Sequence, residues 1–356
     1  MIKPESSNFA VKGFRMVRLS VVCCTRRVEP RFDWIKESLI QQEYEDFEYI
    51  LVDGLAAQRG KNVREFFKDV PFRFTYLPDK PSRWSGIRTA IANSHNTAFI
   101  FAEGEQLVFH DDRCRLDQYF LERHNKWAEQ GLCVAGAWCL YEKPWEVGRY
   151  GFEYRRKLVK AAQPVMPEWL YGGNCSVPLK AAIEVNGNDE LYDGGFGVED
   201  CDFGIRIGRL KHSVIYDPEC LLHYVVSHEE LKKDKERCFS LQKKIADLIG
   251  IDTLTPNKAQ KAVYSWEEEK EMSQKRLMLR DGKIHNANEW LIQLLNEQPS
   301  RFWPLGNAFS LADLREQWQN YRGQCDGFKK FWKILENWRS PLLYDWRDGQ
   351  KIEDMK

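Results

Sequence analysis

Between Leu19 and Phe109 short apolar runs alternate with stretches of helical spacing, and that alternation restricts this chain more than any other feature. Leu19–Thr25 (LSVVCCT), Phe47–Val52 (FEYILV) and Phe72–Leu77 (FRFTYL) are rich in β-branched and aromatic residues and read as strands. Phe32–Gln42 sets Phe32, Ile35 and Leu39 at helical spacing, a second helical stretch surrounds Val63–Phe67, and Ser85–Ser94 reads as a third helix. Thr97–Phe101 and Leu107–Phe109 read as further strand. Strands and helices in this rhythm make an α/β protein, a mainly parallel sheet covered on both faces. Ligands of such sheets sit beyond the carboxyl ends of the strands. Thr25, Asp53 and Asp111 stand at or just past such ends.

The pattern changes downstream. Trp138–Trp169 mixes aromatic and charged residues as a long loop would, and regular order returns at Tyr171–Pro178 with a short helix at Leu179–Val185. A Gly-rich acidic stretch, Asn186–Gly197, leads into a helix expected over Glu199–Arg209. Ser213–Tyr216 reads as one more short strand, followed by Leu221–Tyr224. Beyond about Glu229 the segments Glu230–Ile249, Tyr264–Arg280, Ala287–Asn296, Leu311–Tyr321 and Phe328–Trp338 all read as helices, with Thr253–Asn257 as a linker. The expected division is an N-terminal extension (1–17), an α/β domain (18–229) and a helical C-terminal appendage (230–356).

Composition narrows the function. Lys+Arg and Asp+Glu are both 53, so a global field that gathers a polyanion is absent. The 10 cysteines are scattered with neither a CxxC pair nor zinc-type spacing, which favours a reducing compartment over a disulfide framework. Met1–Arg18 lacks the apolar stretch of a signal peptide, and no hydrophobic run approaches the ~20 residues of a membrane span. A cytoplasmic location is the expectation.

Three clusters carry chemistry. Asp53 follows the second strand, where a carboxylate can accept from a pyrimidine N–H or serve as a turn residue. His110-Asp111-Asp112-Arg113 follows an apolar run, and hard oxygen ligands there suit Mg²⁺ or Mn²⁺ on a diphosphate, or else cap a helix. The third runs from Gly172-Gly173-Asn174 through Asn186-Gly187 to Gly195-Phe196-Gly197-Val198-Glu199-Asp200-Cys201-Asp202, with Arg206 one helical turn on. Glycines let a loop close tightly, and acidic residues at a helix start are kept ionised by its dipole, as a general base requires. Trp169 and Tyr171, just before the glycines, could form a sugar platform or pack in the core. Arg26 and Arg27 follow Thr25 as nucleotide contacts or a solvated pair.

Ser20-Val21-Val22 with Asp53 and Val108–Asp112 resembles the donor half of family 2 glycosyltransferases. Gly172–Asn174 through Glu199-Asp200-Cys201-Asp202 and Arg206 is similar to the acceptor half shared with the galactosyltransferase-type C-terminal segment. The resemblance spans Arg18–His228 and implies a GT-A, Rossmann-like fold and transfer of a sugar from a nucleotide-sugar donor, a UDP-sugar, to a hydroxyl acceptor with inversion. It implies Asp200 as base with Glu199 beside it, and a Mn²⁺ or Mg²⁺ ion with His223 completing its shell and His228 in reserve; which of His110, Asp111 and Asp112 is the ligand from the acidic cluster stays open. The candidate donor contacts are then Thr25, Arg26, Asp53, Asp111 and Arg113, and the candidate acceptor contacts Trp169, Tyr171, Gly172, Gly173, Asn174 and Gly197. Arg113 stands where family members carry the last carboxylate of an Asp-x-Asp motif. Two other readings fit the same residues: transfer to modified bases in DNA, as in phage, or a catalytically silent nucleotide-sugar-binding module.

Overall fold

Strand β1 (Leu19–Thr25) is hydrogen-bonded on both sides by parallel neighbours, β2 (Phe47–Asp53) and β4 (Gln106–His110). Its residues alternate faces as a pleated strand must: Leu19, Val21 and Cys23 join one apolar cluster while Val22 joins the other. This computed structural model describes residues 18–81, 90–141, 149–190, 193, 199–225, 307, 309–337, 344–345 and 350–351. The 1–17 extension, Gly197, His228 and the helices expected across 230–296 lie outside the described residues.

Among the described residues one ten-stranded sheet runs β3-β2-β1-β4-β9-β6-β10-β5, with β7 on β6 and β8 on β10. Its remaining strands are β3 (Arg73–Leu77), β5 (Cys114–Leu116), β6 (Cys133–Tyr141), β7 (Arg149–Phe152), β8 (Gln163–Val165), β9 (Asn174–Pro178) and β10 (Val214–Val225). The first four in this order are parallel, β9 is antiparallel to both neighbours, and β6 and β10 are parallel again. Helices α1 (Phe32–Ile40), α2 (Ala56–Phe66) and α4 (Phe120–Ala128) cover one face through Ile35, Leu39, Val63, Phe120 and Leu121. The other face is covered by α3 (Ile91–Phe101), α6 (Leu179–Glu184) and α7 (Glu199–Arg209), with α5 (Tyr154–Leu158) a short link after β7. The expected α/β architecture is therefore present.

Three local expectations are corrected. Thr97–Phe101 is the second half of α3, not strand, because α3 is buried on every side and has no polar face to reveal its period. Trp138–Trp169 is not one long loop: it holds the end of β6, all of β7 and β8, and α5. Ser213–Tyr216 and Leu221–Tyr224 belong to one strand, β10, whose pairing with β6 is interrupted between Asp217 and Leu221.

The two described C-terminal helices, α8 (Leu311–Tyr321) and α9 (Gly327–Asn337), share the main core rather than standing apart from it. Leu311, Leu314, Phe331 and Leu335 are buried in the same cluster as α3. Arg315 donates to the carbonyls of Phe99, Ile100 and Ala102, satisfying acceptors that the end of α3 leaves open.

Candidate functional site

The register of the parallel strands decides which side chains meet at the carboxyl edge. Thr25 lies opposite Asp53, and Cys23 opposite His110, so the chain beyond β4 turns next to the chain beyond β1. Thr25 Oγ1 donates to Asp112 Oδ2, and Arg27 Nε donates to Asp112 Oδ1 at 2.8 Å. One strand toward the β3 edge, Asp53 is fully buried and accepts from Leu55 N (2.8 Å), Arg59 Nε (2.7 Å), Arg59 Nη2 (2.8 Å) and Tyr76 Oη (2.7 Å). Each carboxylate oxygen thus takes two donors from the protein, which fills its lone pairs. The contact expected from Asp53 to a base N–H is closed in this arrangement; the residue anchors the end of β2. Asp79, beyond β3, pairs with Arg26 and accepts from Ser94 Oγ of α3. The stem of Arg26 lies across Gly54, so a Cβ added there would displace the Arg26 side chain.

Asp111 and Asp112 are the acidic pair of this edge. Burial, then the charge of Asp111, pushes the Asp112 carboxyl up to about 7 despite Arg27 and Thr25. Asp111 Oδ1 accepts from the Arg113 N–H at 3.2 Å, so Arg113 closes the turn that holds the pair. His110 is buried with its ring stacked on Tyr49 at 5.7 Å, and burial pushes it down to about 4, so it is neutral. Its Nδ1 meets the Asp111 carbonyl at 2.9 Å.

The structure does not bring His223 to these carboxylates. Alternation along β10 turns Tyr224 toward them, where burial, then Asp111, raises its phenol, and turns His223 the other way. His223 Nδ1 meets Tyr141 Oη at 2.9 Å and its Nε2 is 3.9 Å from Asp117. Among the described residues no group of three or more His, Cys, Asp and Glu side chains could hold a metal. What remains is a two-carboxylate site. Such a site suits Mg²⁺ or Mn²⁺ when substrate phosphates complete the shell, and a raised carboxyl beside a second carboxylate is a place where a cation relieves repulsion.

The second acidic patch arrives at the same edge through β9. This strand runs antiparallel to β4 with Asn174 opposite His110, which sets Gly172 and Gly173 beside the end of β4. The Gly172 N–H donates to Asp200 Oδ2 at 3.0 Å, and the Cys201 N–H to Oδ1 at 2.8 Å. Burial raises the Asp200 carboxyl above its ordinary value, and these N–H bonds oppose the rise. A Cβ on Gly172 would stand 3.3 Å from His95 Cε1 and 3.6 Å from Asp200 Cβ, so a bare backbone lets α3 and α7 close on one point. Gly173 is pressed on Trp138, whose Cζ2 would be 2.9 Å from an added Cβ. Glu199, the first residue of α7, is buried.

Three expected acceptor residues are occupied elsewhere. Asn174 is fully buried and its Nδ2 donates to the carbonyls of Ala137 (2.8 Å) and Cys220 (3.0 Å), fastening β9 to β6 and β10. Trp169 and Tyr171 flank the buried guanidinium of Arg155, with Cζ 5.8 and 4.2 Å from their ring centres. Trp138 and Tyr216 complete that cage, and Glu153 accepts from Arg155 Nε. The half-buried rings of Trp169 and Tyr171 therefore belong to the wall of the site by packing.

Sequence reasoning passed over Arg59, Tyr76, Asp79 and His95, and left Arg27 undecided. The available signal was weak: Arg59 lies six residues after Asp53, one helical turn into α2. The others are joined to the edge only by long-range packing.

No family model matches this chain, and no curated protein matches it by sequence. Solved structures similar to it include GalNAc-T7 with UDP, GalNAc and Mn²⁺, at 14% identity and a TM-score of 0.45 over 60% of this chain. This chain spans 44% of the length of that GalNAc-T7 chain. S. aureus TarS 1–349 matches at 13% identity and a TM-score of 0.47, over 94% of this chain and 92% of TarS 1–349. The complex of TarS 1–349 with UDP matches at 12% identity and a TM-score of 0.46 over the same shares. Among the described residues no helix is long and apolar enough to cross a membrane.

Proposed function

We propose that this chain is an inverting glycosyltransferase that moves a sugar from a UDP-sugar to a hydroxyl acceptor. The observation that carries the reading is the meeting of two acidic patches at one sheet edge: Asp111-Asp112 beyond β4, and Asp200 hydrogen-bonded to the glycine loop that precedes the neighbouring β9. A diphosphate and a nucleophilic hydroxyl need separate carboxylates on either side of the transferring carbon.

On the donor side, the Thr25 turn, Arg26 and Arg27 line the space for the nucleotide diphosphate, with Arg113 fixing the Asp111 turn. Asp111 and Asp112 would hold Mn²⁺ or Mg²⁺, which when bound neutralises charge growing on the departing diphosphate. On the acceptor side, Asp200 takes the proton of the acceptor hydroxyl as its oxygen forms a bond to the anomeric carbon. The carbon–phosphate oxygen bond breaks on the opposite face, and UDP leaves with the electron pair. The raised carboxyl makes Asp200 a stronger base than an exposed aspartate, and backbone N–H groups fix its direction.

Thermal unfolding with UDP, with and without Mn²⁺, tests the donor half, because a ligand of the folded state raises its apparent stability. UDP with Mn²⁺ is expected to raise Tm, and the double variant Asp111→Asn, Asp112→Asn to lose the Mn²⁺-dependent part. No shift at millimolar UDP would refute the reading. Release of free sugar from UDP-hexoses without acceptor separates an enzyme from a silent binding module.

A further inference from the structure

His95 is a buried polar side chain that the proposed chemistry does not use. It is 7% exposed, on α3, and no hydrogen bond to either ring nitrogen is formed among the described residues. Its ring stacks on Phe99 at 6.3 Å and meets Phe109 of β4 edge-on at 5.0 Å. Phe109 lies two residues before Asp111, and His95 Cε1 reaches the point beside Gly172 that Asp200 also approaches. The ring is thereby held between the two acidic patches.

Unlike Nε2 of His110 and of His124, neither ring nitrogen of His95 is among the enclosed polar atoms that lack a partner, so within a buried ring the nitrogens keep an opening through which a ligand can reach them. Burial pushes the His95 imidazole down to about 4, so at neutral pH it offers one donor and one acceptor. The Cε1 atom, which lies between the two nitrogens, is the part directed at Gly172.

Resting on the transferase reading, we propose that His95 is a binding residue for the transferred sugar, hydrogen-bonding a hydroxyl of the hexose held between the diphosphate and Asp200. The hydroxyl supplies a partner that the described residues do not. Sites built to pair with a hydroxyl reject analogues lacking it far more strongly than apolar pockets do. His95 then acts as a specificity determinant among UDP-hexoses.

The test uses the full chain and four probes, UDP-glucose, UDP-galactose, UDP-GlcNAc and UDP-GalNAc, with UDP alone as reference. His95→Leu is expected to weaken the preferred UDP-hexose at least about tenfold while leaving UDP within about twofold. His95→Asn, which keeps a donor and an acceptor, is expected to recover most of the loss. Should His95→Leu fail to fold, ¹⁵N spectra of the imidazoles in the wild-type chain decide. A His95 nitrogen shift caused by the UDP-hexose and not by UDP supports the assignment; equal spectra overturn it. Equal weakening of UDP and UDP-hexose, or none, also overturns it. A wild-type chain that binds no UDP overturns the donor reading itself, which is a different failure.

Discussion

At the ends of β1 to β4, Asp53 is answered by Arg59 and Tyr76, Asp79 by Arg26 and Ser94, and Asp112 by Arg27 and Thr25. Across β9, Asp200 is held by the N–H groups of Gly172 and Cys201, and no cation among the described residues pairs with it. The contrast separates two duties. Charged partners hold the carboxylates of the first side in place, and at Asp53 they fill every lone pair; Asp200, held by N–H groups and the Cys201 side chain without a cation among the described residues, keeps its raised carboxyl. On the proposed reading, the first side is a scaffold for the donor phosphates and the second keeps one group ready to take a proton.

Changes on the two sides should then fail in different ways. The largest effect is expected from Arg59→Met, which leaves the fully buried Asp53 without its cation. Breaking a buried pair costs about 3–5 kcal/mol, and urea unfolding should show a loss of that size; a loss under about 1 kcal/mol would break the contrast. Gly172→Ala should act the other way round. The new Cβ would press on His95 Cε1 at 3.3 Å, a contact that a few tenths of an ångström of movement relieves. Stability should stay within about 1 kcal/mol, while transfer falls about tenfold because a displaced Asp200 misses the near-attack geometry. Equal loss in both assays would make Gly172 a purely structural residue.

The smallest expected effect is a displaced pH limb. Asp200 must be ionised to act as base, and burial raises its carboxyl above the ordinary 3.8. Activity should therefore decline as pH falls through a group titrating above the usual aspartate range. A kcat/KM profile flat down to pH 4 would remove the raised carboxylate from the mechanism.

Much of the donor half was legible in the sequence because β1, β2 and β4 are short apolar runs that end in polar residues, and a parallel sheet makes those ends coincide. The α7 helix was legible to its bounds, Glu199–Arg209, from an acidic start and an apolar stripe at Phe203 and Ile207. Asp202 and Arg206 also pair as their spacing suggests, at 3.0 Å. The second half of α3 was not legible, since a helix buried all round reads as a strand. The direction of His223, toward Tyr141 and Asp117, was not legible either, because strand alternation, which decides it, depends on where β10 begins. Asn174 sits in a motif that looks like a binding loop, yet its amide is spent on the carbonyls of Ala137 and Cys220, partners 37 and 46 residues away. The pairing of Arg27, Arg59 and Asp79 likewise exists only once four strand ends stand side by side.

The central claim is that Asp200 and the Asp111-Asp112 pair serve one reaction from two sides. Transfer from a UDP-hexose by Asp200→Asn, measured beside UDP binding by the same protein, tests it most directly. Transfer should fall by about a thousandfold, within the range of a lost general base, while the UDP Kd changes by no more than about twofold. Near-normal turnover in that variant, or loss of UDP binding along with turnover, would contradict it.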